Sequence, residues 1–152
     1  MRSLPRKRMS AGMLLLDERQ RILLIEPSYK KHFDIPGGVV EADEPPWRTS
    51  ERELYEELGI SRRGPAILVD YMTTTDQMPE GIAWIFDGGR IDQAEVDRLV
   101  LTDPEVNSVG LYTLAEMERR VVPHLARRLA AAVEVAGTGQ LALCEDGRRL
   151  AR

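Results

Sequence analysis

The stretch GGVVEADEPPWRTSERELYEELGI, residues 37–60, decides how the rest of the chain is read. Its first part, with the glycine pair Gly37-Gly38 and the proline pair Pro45-Pro46, has the composition of a loop. Its second part has the signals of a helix. Proline is tolerated at a helix start, and Asp43 or Glu44 stands where a cap belongs. Leu54, Tyr55 and Leu58 recur at helical spacing, and Gly59 suits the position just past the end. The spacing predicts a helix over 45–58.

That helix carries a surplus of like charge. Residues three and four apart are neighbours, so Glu53 lies beside both Glu56 and Glu57, and each exposed like-charge pair costs about 0.2–0.5 kcal/mol. Glu56 and Glu57 also fall in the last turn, beside the negative end of the helix dipole. Arg52 faces Glu56 at i,i+4 and offsets part of the repulsion, while Glu41 and Glu44 bring more negative charge from the loop. A solvated charged face mixes its signs at this spacing, yet Glu53 has no cation on its own side. Clustered carboxylate oxygens are what hard divalent cations take, magnesium often through a few carboxylates plus substrate phosphates. A metal ion would turn the repulsion into attraction. The glycine pair fits the same picture, because backbone approaches a ligand closely only where no side chain intervenes.

The pattern Gly38, five residues, Glu44, seven residues, Arg52-Glu53-Leu54, one residue, Glu56-Glu57, one residue, Gly59-Ile60 resembles the Nudix box, with every defining position filled. The preceding FDIPGG, 33–38, resembles the usual approach to it. Two places depart from common versions: Asp43 stands where glycine is frequent, and Thr49-Ser50 where two alanines are frequent. The resemblance implies an α+β fold, a mixed β-sheet sandwiched between α-helices, with the box as loop–helix–loop. It implies a pyrophosphohydrolase that cleaves a nucleoside diphosphate linked to a group X, such as a nucleoside triphosphate, ADP-ribose or a nucleotide sugar. Glu53, Glu56 and Glu57 would ligate Mg2+, with Mn2+ as a substitute, together with the Gly38 carbonyl. Arg52 would orient a glutamate by a charge-assisted bond, and Glu44 would support the metal site through water. Proton acceptance would fall to Glu53, or to a carboxylate beyond the box, where Glu95, Asp97 and Glu105 are the candidates. Many relatives dimerise, so a homodimer is a further expectation.

Working outward, the apolar runs 13–16 and 22–25 flank a polar turn and read as a hairpin. Segments 66–75 and 81–89 read as two more strands, and 98–101 and 108–113 as shorter ones. Segment 113–136 reads as helix, broken or restarted at Pro123, and 139–147 as a last strand. Strands come first, one helix is inserted among them, and helix dominates late, which again is an α+β domain on a mixed sheet.

Residues outside the box must recognise X. Lys30 and Lys31 precede the glycines and could meet a phosphate. Tyr29, Phe33, Tyr71 and Trp84 are candidates to stack on a base in a chain only 5% aromatic, though Trp84 sits in an apolar strand and reads as core. The substrate-binding set expected here is Lys31, Phe33 and Tyr71. His32 and His124 have neither metal-ligand spacing nor a nearby nucleophile motif and read as structural or exposed. The proline often found about sixteen residues after the box in ADP-ribose-cleaving members is absent, Asp76 standing there, which lowers that reading without removing it.

Composition bounds the alternatives. A chain of 152 residues suggests one domain, taken as 11–152 behind a basic, flexible arm at 1–10. The net charge of -4 argues against a nucleic-acid partner, which calls for a basic surface. The apolar run at 13–16 is too short for a signal-peptide core of roughly 7–15 residues or a membrane span of about 20, so no membrane partner and a cytoplasmic location are expected. The single cysteine, Cys144, excludes an intrachain disulfide and reads as a small buried hydrophobe. Its distance from the box also disfavours an isopentenyl diphosphate isomerase, which resembles this family but needs a cysteine at the site. A nucleotide sensor without hydrolysis is the main rival, and the intact set of acids weighs against it. A calcium-binding structural protein would need a D-x-D-x-D-G loop, which is absent.

Overall fold

Alternation along β1 (Arg8–Leu16) and β2 (Ile22–Pro27) builds the core from both sides of a sheet. Successive side chains of a strand point to opposite faces. Met13 and Leu15 of β1 join Leu23 and Ile25 of β2 in one apolar cluster, while Leu14 joins Ile22 and Leu24 in another. Unbroken apolar runs are what a sheet covered on both faces requires. The turn between the strands is tied by Asp17, whose carboxylate accepts the Arg19 and Arg21 N–H groups at 3.0 and 2.7 Å.

The computed structural model describes residues 3–151. β1 begins at Arg8, inside the segment expected as a free arm, and Arg8 through Ser10 pair in register with Gly81 through Ala83. Met1 and Arg2 lie outside the described residues. β3 (Gly37–Val39) leads to α1 (Pro46–Leu58), as the box predicts. β4 (Ala66–Met72) and β5 (Gly81–Arg90) are the two strands expected there, and they pair antiparallel. Then come α2 (Gln93–Asp97), β6 (Val106–Tyr112), α3 (Leu114–Arg120), α4 (Pro123–Val135), β7 (Ala142–Glu145) and β8 (Arg148–Arg149). The sheet order is β6-β2-β1-β5-β4-β7-β8, with β3 also pairing β1. The β1–β5 and β4–β7 pairs are parallel and the others antiparallel, so the sheet is mixed.

The helices cover the two faces. Leu54 and Leu58 of α1 pack with Met13, Leu15, Leu23 and Ile25. On the other face Met117 of α3 and Leu125 and Leu129 of α4 pack with Leu14, Ile22 and Leu24. Pro123 opens α4, where its missing N–H costs nothing. Two expectations are corrected. Residues 98–101 are not a strand: they follow α2, find no ladder partner, and turn Leu99 and Leu101 into the α1-side cluster while Val100 stays exposed. Neither Asp43 nor Glu44 caps α1; the cap position is Pro45, without a side-chain bond. Among the described residues no helix is long and apolar enough to cross a membrane.

Candidate active site

β3 brings the glycine pair against α1. Gly37 and Gly38 pair antiparallel with Gly12 and Ala11 of β1. A Cβ on Gly37 would fall 2.5 Å from the Ala11 carbonyl oxygen, and one on Gly38 would fall 2.5 Å from Glu53 Oε1. The carboxylate of Glu53 thus rests against Gly38. One turn on, Glu57 Oε1 accepts the Gly37 N–H at 2.8 Å. Both acids face the same three-residue strand.

Arg52 lies at the centre of the remaining acids. Its Nε and Nη2 donate to the two oxygens of Glu44 at 2.7 and 3.0 Å, a bidentate fork. Its Nη1 donates to Glu53 at 3.1 Å and to Glu56 at 3.3 Å. Arg52 therefore holds Glu53 as well as Glu56, and the cation missing for Glu53 in the linear pattern is its own neighbour. The Arg52 hydrogen bond, then that of Thr49, holds the Glu44 carboxyl down to about 2.

The departures from the common box have local explanations. Asp43 adopts φ 61, the left-handed region where glycine is at ease and aspartate is tolerated. Thr49 and Ser50 are fully buried, so only small side chains fit. Their hydroxyls are satisfied, donating to Glu44 Oε1 at 2.6 Å and to the Trp47 carbonyl at 2.8 Å.

Burial pushes the Glu57 carboxyl up to about 8, against the lowering effect of the Gly37 N–H; Glu53, Asp34 and Asp103 raise it further. Burial also raises Glu53, where Arg52 pulls the other way and Glu56 and Glu105 add to the rise. Glu57 is only 7% exposed, and no ion pair is made to it among the described residues.

A model of the NUDIX domain matches residues 6–132, most of the chain. The chain belongs to the Nudix family. It is a hydrolase of phosphoric anhydride bonds. A MutT-like protein of Streptomyces ambofaciens is 30% identical over 150 residues, 96% of this chain and 88% of the relative. The crystal structure of a MutT protein from Methanosarcina mazei superposes with a TM-score of 0.66 at 22% identity, covering 87% of this chain and 94% of that one. An ADP-ribose pyrophosphatase from Streptococcus suis superposes with a TM-score of 0.67 at 13% identity, over 92% and 99% of the two chains. These likenesses show the α+β Nudix fold, the mixed sheet between helices.

The Nudix donor set suits a hard divalent cation. It consists of carboxylate oxygens around a backbone that no side chain shields, and Glu57 is a buried acid with no ion pair among the described residues. Among the described residues no three of these side chains already converge on one metal position. Arg52 holds Glu53 and Glu56, and the Gly37 N–H holds Glu57, so the acids are poised beside β3 rather than gathered on a point.

Of the three acids considered beyond the box, Glu105 is the one whose charge bears on a box acid. It raises both Glu53 and Tyr29 electrostatically, and its carbonyl accepts the Ser28 N–H at 2.8 Å, which ties its loop to the segment before β3. Glu95 instead closes the capping box of α2 and pairs with Arg62 at 3.1 Å. Asp97 accepts from Gln93 at 2.8 Å on the same short helix. Asp34 and Asp103, which sequence reasoning passed over, are the further acids that bear on Glu57.

A cleft of about 420 Å³ opens from the glycine pair towards α4, between the β1–β5 face and Val122, His124, Leu125 and Arg128. Of the expected substrate-binding set Lys31, Phe33 and Tyr71 none lines it, whereas the stacking candidates Tyr29 and Trp84 do. Lys31 is exposed outside it, whereas Lys30 does line it and pairs with Asp34 at 2.8 Å. Burial alone would lower the Lys30 ammonium, but Asp34, and more weakly Glu57, hold it above its usual value. Phe33 packs edge-on against Tyr112 with Arg120 over its ring. Tyr71 lies on β4 and donates to Glu80 at 2.6 Å. Trp84, read as core, is half-buried and lines the cleft, and its indole N–H meets Met9 Sδ. His124 lines the cleft and is lowered by burial and by Arg128. The lysine pair was legible as a pair; which member faces inward depends on the loop turn.

Proposed function

We propose that this Nudix hydrolase is a magnesium-dependent pyrophosphohydrolase acting on a nucleoside diphosphate linked to a group X, at the site formed by Glu53, Glu56, Glu57 and the glycine strand. The observation that carries the reading is Glu57, a buried carboxylate set against Gly37 with its carboxyl raised to about 8. A lone buried acid is costly, and a divalent cation relieves that cost. When bound, the ion supplies charge neutralisation for the pyrophosphate and acidifies water.

The chain's own groups do the rest. Glu53, Glu56 and Glu57 would hold the ion, together with the Gly38 carbonyl. Arg52 fixes the direction of Glu53 and Glu56, and Glu44 fixes Arg52 through its fork. Lys30, on the cleft wall, meets a substrate phosphate. Glu53 takes the proton from the attacking water, with Glu105 as the second candidate because its field already reaches Glu53. A small nucleotide substrate fits the cleft; a nucleic acid or membrane partner does not enter the reading. The buried free thiol of Cys144 is compatible with a cytoplasmic setting.

The test is phosphate and pyrophosphate release over a panel of nucleoside triphosphates, ADP-ribose, nucleotide sugars and dinucleoside polyphosphates with magnesium. Turnover of one class establishes the reaction and names X. Binding of nucleotides with no turnover of any would overturn hydrolysis in favour of a sensor.

A further inference from the structure

Arg128 lines the α4 wall of the cleft, and the hydrolytic set makes no use of it. It is 8% exposed. Its Nε donates to Asp70 Oδ2 at 2.7 Å, and Asp70, itself 0% exposed, accepts the Gly147 N–H on Oδ1 at 2.9 Å. A guanidinium has five N–H donors in a rigid fork. Among the described residues only Nε finds an acceptor, and Nη2 is buried with none. Leaving buried donors unpaired costs stability, and an apolar pair in place of a buried ion pair often costs none. Stability alone therefore does not explain the arginine.

Its surroundings say what would satisfy it. Leu125 stands beside it on α4, and Ala83, the β5 register partner of Asp70, lines the sheet side with Ile85, so this end is largely apolar. The other end holds Lys30, Asp34 and the glycine pair that touches Glu53 and Glu57. If the pyrophosphate lies at the charged end, as in the function proposed above, the flat, uncharged part of the nucleotide reaches α4. Asp70 already balances the charge of Arg128, so the pair as a whole favours a neutral acceptor over a second phosphate.

We propose that Arg128 is a specificity residue whose free N–H groups donate to O6 of guanine or O4 of uracil, the place held by the amino group in adenine and cytosine. The cleft then selects guanine and uracil nucleotides over adenine and cytosine nucleotides. The amino group of adenine or cytosine would set donor against donor, whereas guanine offers O6 and N7 as a paired acceptor. The proposal rests on the nucleotide-hydrolase reading, but binding tests it without turnover.

The experiment is calorimetric titration of GMP, AMP, UMP and CMP into the metal-free full chain. Two variants are titrated alongside it. Arg128→Lys keeps the charge opposite Asp70 but loses the fork. Asp70→Asn combined with Arg128→Leu removes the buried pair together. The unchanged chain is expected to bind GMP over AMP, and UMP over CMP, by about tenfold or more. In each folded variant the ratios should fall to within about twofold. Equal affinities in the unchanged chain, no binding of any of the four, or ratios that survive in a folded variant would overturn the assignment. Turnover on the nucleotide panel without base preference would sink this proposal and leave hydrolysis standing. Base-selective binding without turnover would do the reverse.

Discussion

Glu57 couples the site to stability. Its carboxyl sits at about 8 in the fold, against 4.5 for an ordinary glutamate. A group raised on folding contributes stability that is complete below its unfolded value and lost as pH rises through its folded value. In chelator, the melting temperature of the unchanged chain should therefore fall between about pH 5 and 8 relative to Glu57→Gln. Parallel profiles for the two proteins would mean that Glu57 ionises freely. Glu44 has the opposite sign: held down to about 2 by Arg52, it stabilises the fold above about 4.5, and that contribution disappears as pH falls through its folded value. The proton acceptor is a second question at this scale. Glu53→Gln lowers kcat whichever acid is the base, because Glu53 also serves the ion, so Glu105→Gln decides. If Glu53 is the base, steady-state kinetics of Glu105→Gln on the best substrate keep most of kcat; a loss of about 10²–10⁴ would assign the base to Glu105.

Among the elements, the contact of β3 with α1 makes a paired prediction. The two glycines are equally crowded, but by different neighbours. A Cβ at residue 37 meets the backbone of β1 at Ala11, whereas one at residue 38 meets the end of the Glu53 side chain. Gly37→Ala should therefore lower the melting temperature, because backbone must move. Gly38→Ala should leave it within a few degrees and lower kcat by about 100-fold by displacing Glu53. A Gly38→Ala variant with full activity would show that Glu53 has no fixed place. Element by element, the sequence was informative where local signals agreed: the hairpin of β1 and β2, α1 with Gly59 behind it, and the break at Pro123. It misled where a local pattern had no partner in space. Leu99 and Leu101 alternate like a strand, yet no neighbouring edge receives them. The short helix α2, fixed by the Asp92–Glu95 capping box, passed unseen because five residues carry too little periodicity. The acids of the candidate metal site lie in one contiguous box, so their grouping could be read there. The cleft was not, because Lys30, His124 and Arg128 meet only through packing of the loop and α4 against the sheet.

The whole molecule divides its labour across the sheet. One face carries α1 and its acids, the other carries α3 and α4, and β3 at the rim of the cleft is shared by both. If hydrolysis depends on the box side and discrimination among substrates on the α4 side, as proposed, changes on one side should leave the other's readout largely intact. The central claim is that the acids of α1 serve a divalent ion in catalysis. Its most direct test is turnover of the best panel substrate against magnesium concentration, for the unchanged chain and for Glu57→Gln. No turnover in chelator, saturation as magnesium is added, and a loss of about 100-fold or more in the variant are expected. Turnover indifferent to chelator, or full activity in Glu57→Gln, would contradict it.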